Sequence, residues 1–252
     1  MNLGHVEFAG APGSGKSTLC ARITGGRLRV SGIGPARLLP AQEIAAARSI
    51  PGLGLIRWPR AAATDEALLA SPAASVVERR FGDLIRSLAE VVVEGPRGAP
   101  EARGRAERWL RRDLVLLVAA EERLSRAARP WIPVLAEGLV QRAVSVLGTG
   151  AEAARYADLV ERTVRPRAVV HVVGTAEELA GRALARRRAG TEPELHRGLS
   201  DERMVAQALE DGQAIARALE LLAARGLPVI EVTGSVATED LLARLGREMA
   251  VD

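Results

Sequence analysis

Gly10-Ala11-Pro12-Gly13-Ser14-Gly15-Lys16-Ser17-Thr18 decides how this 252-residue chain is read. The stretch fits G-x-x-x-x-G-K-[ST] in full. It stands between an apolar run, His5 to Ala9, and a segment patterned as a helix from Lys16 to about Thr24, which Gly25 and Gly26 stop. Glycines let a backbone curl so that successive N–H groups converge on phosphate oxygens, and a helix N-terminus adds partial positive charge. In such a P-loop Lys16 reaches the β- and γ-phosphates, the Ser17 hydroxyl ligates Mg²⁺ and Thr18 donates to the α-phosphate. The expected cofactors are therefore ATP and Mg²⁺, held along Gly10 to Thr18. A chance glycine turn before a helix would not need the lysine. Here Lys16 is the only lysine, against 34 arginines, and it stands where a phosphate loop needs a compact ammonium.

The whole chain sets the limits. Hydrophobic residues make up 48% and charged residues 26%, a globular composition. No run of about 20 uncharged apolar residues suggests a membrane span. The apolar start runs straight into the glycine loop without a basic leader, unlike a signal peptide. The single cysteine, Cys20, excludes an internal disulfide framework and suits a reducing cytoplasm. The net charge of +4 could point to nucleic acid, but the arginines alternate with Glu and Asp as on solvated helix faces. With only six aromatic residues there is no stacking platform for single strands, so nucleic acid is not the expected partner.

Along the chain, strands and helices alternate. Arg27 to Val30 reads as a second strand, Ser31 to Pro40 as a loop and Ala41 to Arg48 as a helix. Pro51, Gly52, Gly54 and Pro59 then read as breaks. From Asp65 to Arg129 the pattern is mainly helical, with Phe81, Leu84, Ile85, Leu88 and Val92, then Leu110, Leu114, Leu117, Val118 and Leu124, at helical spacing. Residues 31–130 are thus expected to form a helical insertion on the acceptor side, which also offers a face for a homodimer. Strands are expected at Trp131 to Ala136, Ala168 to Val173 and Leu227 to Val232. Helices are expected at Leu139 to Leu147, Ala151 to Arg162, Ala176 to Arg188 and Asp201 to Ala224, and after a cap at Thr238. The pattern predicts one α/β domain over residues 1–252: a parallel sheet in a three-layer P-loop NTPase fold, with a lid at 186–200. Ligands of such sheets lie beyond the carboxyl ends of the strands, which gathers Gly10, Glu137, Gly174 and Thr233 on one edge.

The kind of P-loop protein follows partly by elimination. A guanine-reading Asn-Lys-x-Asp segment needs a second lysine, though GTP stays open as an alternative donor. The Leu-Ser-Gly-Gly-Gln signature of transporter ATPases and an apolar run ending in Asp-Glu are both missing.

In the P-loop, in Val134-Leu135-Ala136-Glu137-Gly138-Leu139 followed by Gln141 and Arg142, and in the segment from Ala168 onward, the chain resembles the nucleoside and nucleotide kinases, thymidylate-kinase-like proteins nearest. The resemblance implies a cytoplasmic phosphotransferase with a carboxylate at the end of the middle strand. Such kinases often carry an acidic pair there; Ala136 takes the first place, leaving Glu137 as base, metal-shell residue or both. The helix ending at Arg188 then resembles one entering a lid, with Arg182 and Arg186 as the leading phosphate clamps and Arg187 and Arg188 behind them. Thr233, Gly234 and Ser235 resemble the turn that packs against adenine.

The expected activity is transfer of the γ-phosphoryl of ATP–Mg to a small-molecule hydroxyl or phosphate, a nucleoside or nucleotide among the candidates. A P-loop regulator that hydrolyses ATP slowly and a nucleic-acid end kinase are the alternatives. Bland roles compete at single positions. Glu137 could cap a helix, Arg142 could bind acceptor phosphate or equally form a surface ion pair, and Asp65, Glu66 and Asp83 could contact an acceptor but sit on ordinary helical faces. His5, His171 and His196 lack metal-ligand spacing.

Overall fold

The structure, a computed structural model, describes residues 5–23, 49–50, 53–57, 72–93, 108–119, 131–190 and 198–249. Its strands are β1 (Val6–Ala9), β2 (Ser49–Ile50), β3 (Leu53–Arg57), β4 (Trp131–Leu135), β5 (Ala168–Val173) and β6 (Val229–Thr233). The helices among the described residues are α1 (Lys16–Ile23), α2 (Pro72–Val93), α3 (108–119), α4 (Leu139–Leu147), α5 (Ala153–Arg162), α6 (Ala176–Arg188), α7 (Asp201–Ala224) and α8 (Thr238–Met249). The six strands form one sheet in the order β2-β3-β4-β1-β5-β6. All neighbours pair parallel except β2 and β3, which pair antiparallel.

Alternation along β1 explains the two cores. Val6 and Phe8 point to one face, where they join Val170, Val172, Ile230 and Val232 beneath α1 and α8. Ala9 points to the other, with Leu135 and Val169, beneath a layer built from α2, α3, α4, α5 and α7. Parallel strands buried on both sides are near-continuously apolar, as β5 (Ala-Val-Val-His-Val-Val) shows. This is an α/β arrangement, compatible with a three-layer fold.

Local signals set the helix starts. Thr175 and Glu178 form a reciprocal capping box at the start of α6, with bonds of 3.2 and 3.1 Å. Ser200 accepts from the Arg203 N–H at 3.2 Å to begin α7, whose first turn carries Asp201 and Glu202 toward the positive helix end.

Three expectations need correction. The 31–130 segment is not wholly helical: it supplies the β2–β3 pair, and β3 runs through Gly54, which sequence reads as a break. β3 pairs with β4 over four residues, so a ladder made with a distant strand outweighs the low strand propensity of one glycine. β6 runs through Thr233, one residue past its expected end, and the Thr233 carbonyl oxygen still opens the expected turn by accepting from the Val236 N–H at 3.2 Å. Thr238 is the first residue of α8 rather than the cap before it, and the Leu241 N–H closes the opening turn onto the Ala237 carbonyl oxygen. The expected strand at 27–30, helix at 41–48, Asp65, Glu66, His196 and the lid centre at 191–197 lie outside the described residues. Among the described residues no helix is long and apolar enough to cross a membrane.

Candidate functional site

Because β4, β1, β5 and β6 run parallel, their carboxyl ends share one edge of the sheet, where Gly10, Glu137, Gly174 and Gly234 follow the last strand residues. Gly10, Gly13 and Gly15 have φ of 147°, 91° and 98°. Gly10 has no substitute: a Cβ there would lie 2.3 Å from the Val172 carbonyl oxygen. The Ser14 N–H bonds Ala11 O at 3.1 Å, and Leu19 N–H bonds Gly15 O at 2.9 Å as α1 begins.

Lys16 is buried at the mouth of this curl. Its ammonium donates to Gly10 O at 2.7 Å and Ala11 O at 2.9 Å. Ser17 is half-buried and Thr18 exposed, both in the first turn of α1. Within the loop Pro12 is half-buried and Ser14 fully buried.

α6 and the turn after β6 press on the loop from outside. The Arg182 guanidinium donates to Gly13 O at 3.1 Å and Ser14 O at 3.3 Å. Arg186, one turn on, is exposed. Arg187 bonds Asp201 at 2.7 Å, joining the end of α6 to the start of α7. The Thr233 and Ser235 hydroxyls are 2.9 Å apart, and Gly234 lies so close that an added Cβ would approach Ser14 O to 3.0 Å. Arg22 of α1 holds this turn through Gly234 O at 2.7 Å. Lys16, Arg182 and the 233–235 turn are therefore gathered around one loop, as the motif order implies.

Glu137 is half-buried directly after β4. Next to it lies a group that sequence reasoning missed. Glu7, read as part of an apolar strand, is fully buried; its Oε1 accepts from the Leu139 N–H at 2.7 Å and its Oε2 from the Val140 N–H at 3.0 Å. His5 Nε2 lies 2.8 Å from the same Oε1. A lone acidic residue in an otherwise apolar central strand was the available signal.

Arg142 on α4 turns to α3, where its Nε donates to Asp113 at 2.7 Å and its guanidinium lies 5.0 Å from the Trp109 ring centroid. The Asp113–Arg142 pair is nearly buried. Asp83, an acceptor-contact candidate, instead forms an exposed pair with Arg86 at 2.5 Å. His171 on β5 lies 3.4 Å from Glu231, and burial pushes its imidazole below the ordinary 6.5, with Glu231 opposing and Lys16 reinforcing the shift. Cys20 is buried.

Among the described residues no group of three or more His, Cys, Asp or Glu could hold a metal by itself. Mg²⁺ does not ask for one. It ordinarily takes one or two protein oxygens together with phosphate oxygens and water. The chain matches no protein-family model, and no curated protein matches it either.

Proposed function

We propose that the chain is a phosphotransferase of the P-loop kinase type, moving the γ-phosphoryl group of ATP to a small-molecule hydroxyl or phosphate. The observation that carries this reading is the Gly10–Thr18 loop, with positive φ at three glycines and a buried Lys16, at the carboxyl edge of the central strand. Glu137 follows the adjacent strand on the same edge.

The residues present fit ATP and Mg²⁺. The backbone N–H groups from Gly13 to Thr18 would hold the phosphates, and the Ser17 hydroxyl and Glu137 carboxylate would hold Mg²⁺. When bound, Mg²⁺ neutralises charge on the phosphate oxygens. Lys16 turns from the Gly10 and Ala11 carbonyls toward the β- and γ-phosphate oxygens. Glu137 takes the proton of the attacking hydroxyl. Arg182 reaches the transferred group from the outer side of the loop, where one such guanidinium contributes about 10³ to 10⁵ in rate. Most of the work is positioning and charge neutralisation.

The test is ATP turnover with and without a panel of nucleosides, nucleotides and sugar or antibiotic alcohols, with Lys16→Ala as control. Acceptor-dependent ADP release that is lost in the variant supports a kinase and names its substrate class. ATP binding with slow, acceptor-independent hydrolysis overturns it in favour of a regulator.

A further inference from the structure

We infer that Glu7 is a positioning residue for Glu137, fixing the bend that carries it by holding both ends of that bend from the central strand. The inference rests on the reading of Glu137 as the carboxylate that meets Mg²⁺ and the acceptor.

The geometry is specific. Through its backbone Glu7 stands in register with Leu135, the last residue of β4. Through its side chain it accepts from the N–H groups of Leu139 and Val140, the first two residues of α4. One residue of β1 therefore spans Ala136-Glu137-Gly138 and pins the chain on either side of them. Gly138, the residue at the helix cap, makes no side-chain cap bond of its own, so Glu7 supplies the cap from another strand. The approach is so close that a Cβ on Gly138 would lie 2.1 Å from the Glu7 carboxyl carbon. Glu7 also lies three residues before Gly10, in the strand that delivers the glycine loop. The loop and the bend holding Glu137 thus share one anchor, and their separation depends on a carboxylate rather than on a flexible connection.

A neutral amide cannot do this work. In Glu7→Gln the amide nitrogen replaces either the oxygen facing Leu139 N–H or the one facing Val140 N–H, and in both orientations two donors oppose each other. Relief requires the start of α4 to move, and Glu137 moves with it. Groups that hold a metal ligand in place typically change metal affinity by about 10- to 100-fold when altered.

The experiment measures the dissociation constant of ATP with and without Mg²⁺, by calorimetry, for the wild type, Glu7→Gln, Glu137→Gln and the double variant. The readout is the factor by which Mg²⁺ strengthens ATP binding. Glu137→Gln should lower that factor about tenfold. Glu7→Gln should lower it to a similar extent while Mg²⁺-free ATP binds within about threefold of wild type, and the double variant should fall no further than Glu137→Gln alone. General damage to the fold would instead weaken both forms of binding together, and that result overturns the positioning role. Glu7→Asp, which keeps the charge but withdraws it by one methylene, should give an intermediate factor, and is read in the same way if Glu7→Gln does not fold. An unchanged factor in the Glu7 variants, or losses that multiply in the double variant, overturns the positioning role while leaving that of Glu137 standing. An unchanged factor in Glu137→Gln overturns the role of Glu137 and the positioning with it.

Discussion

The Arg182 guanidinium donates to the Gly13 carbonyl oxygen at 3.1 Å, tying α6 to a loop 169 residues earlier in the chain. The same nitrogen reaches Ser14 O at 3.3 Å, so one arginine braces two successive carbonyls of the loop, and in the proposed reading it also serves the transferred phosphate. Arg182→Ala should lower acceptor-dependent turnover by about a thousandfold, following the scale of internal arginine fingers. Arg182→Lys should recover little, because a point charge on a flexible stem lacks the fixed donor directions of a planar fork. Steady-state kinetics decide the matter; a lysine variant as active as wild type would sink the bracing role.

Lys16 should not tolerate the residue this chain uses everywhere else. It is buried, with its ammonium bonded to two loop carbonyls, a space shaped for a compact cation. Lys16→Arg should lose ATP binding nearly as completely as Lys16→Ala, by about a hundredfold or more, the order expected when a charge-assisted contact worth a few kcal/mol is lost. Titration with a fluorescent ATP analogue measures it directly.

Asp113 and Arg142 form a nearly buried pair between α3 and α4. Asp113→Asn should destabilise the fold by about 3 kcal/mol, because it leaves the guanidinium without its counter-charge in a site largely closed to water. Denaturant unfolding would show the loss as a lower midpoint. The double change Asp113→Leu with Arg142→Met, which removes both charges and keeps apolar contact with Trp109, should cost less.

Much of this architecture is legible in the sequence, and the exceptions share a cause. β5, α4, α6 and α7 have the boundaries that their patterns predict, because β-branched runs and periodic apolar residues bounded by glycines are local signals. The glycine loop was legible for the same reason. β3 was not, since it owes its state to pairing with β4, more than 70 residues away. The cap on α4 tells the same story: Glu7 bonds Leu139 across 132 residues, and no spacing rule relates them. Arg142 shows the limit from the other side. Its residue type suited a phosphate or an ion pair equally, and only the approach of α3 brought Asp113 to it.

His171 gives the stability a pH dependence whose sign can be worked out. Burial holds the folded-state imidazole below its ordinary 6.5, Glu231 pulls it up, Lys16 pushes it down further, and Glu220 on α7 also pulls up. Well above 6.5 the ring is neutral in both states and contributes nothing to the slope. As pH falls through 6.5 the unfolded chain takes up the proton first, so stability declines until the depressed folded-state value is reached. Thermal midpoints from about pH 7.5 to about 5.5 should fall less steeply in His171→Gln than in wild type; parallel curves would refute this.

Gly138→Ala places a methyl group against the buried Glu7 carboxyl, at a separation no real contact shows. Either β1 or the start of α4 must shift, at a cost of about 2 kcal/mol or more. Hydrogen exchange at the Leu139 and Val140 amides should accelerate in this variant ahead of the rest of α4.

The central place of β1 also dictates an order of events during synthesis. Residues 6–9 leave the ribosome before the other strands, yet their two neighbours in the sheet are residues 131–135 and 168–173. At usual elongation rates that wait is on the order of ten seconds, during which both edges of the strand lack their neighbours and the Glu7 carboxylate has His5 but not the α4 amides. Val172 reaches the loop with β5, and Arg182 and Gly234 only later still. The earliest-made strand of the sheet thus waits longest for its first neighbour, and a nascent chain halted before residue 168 would carry the motif without the supports that shape it.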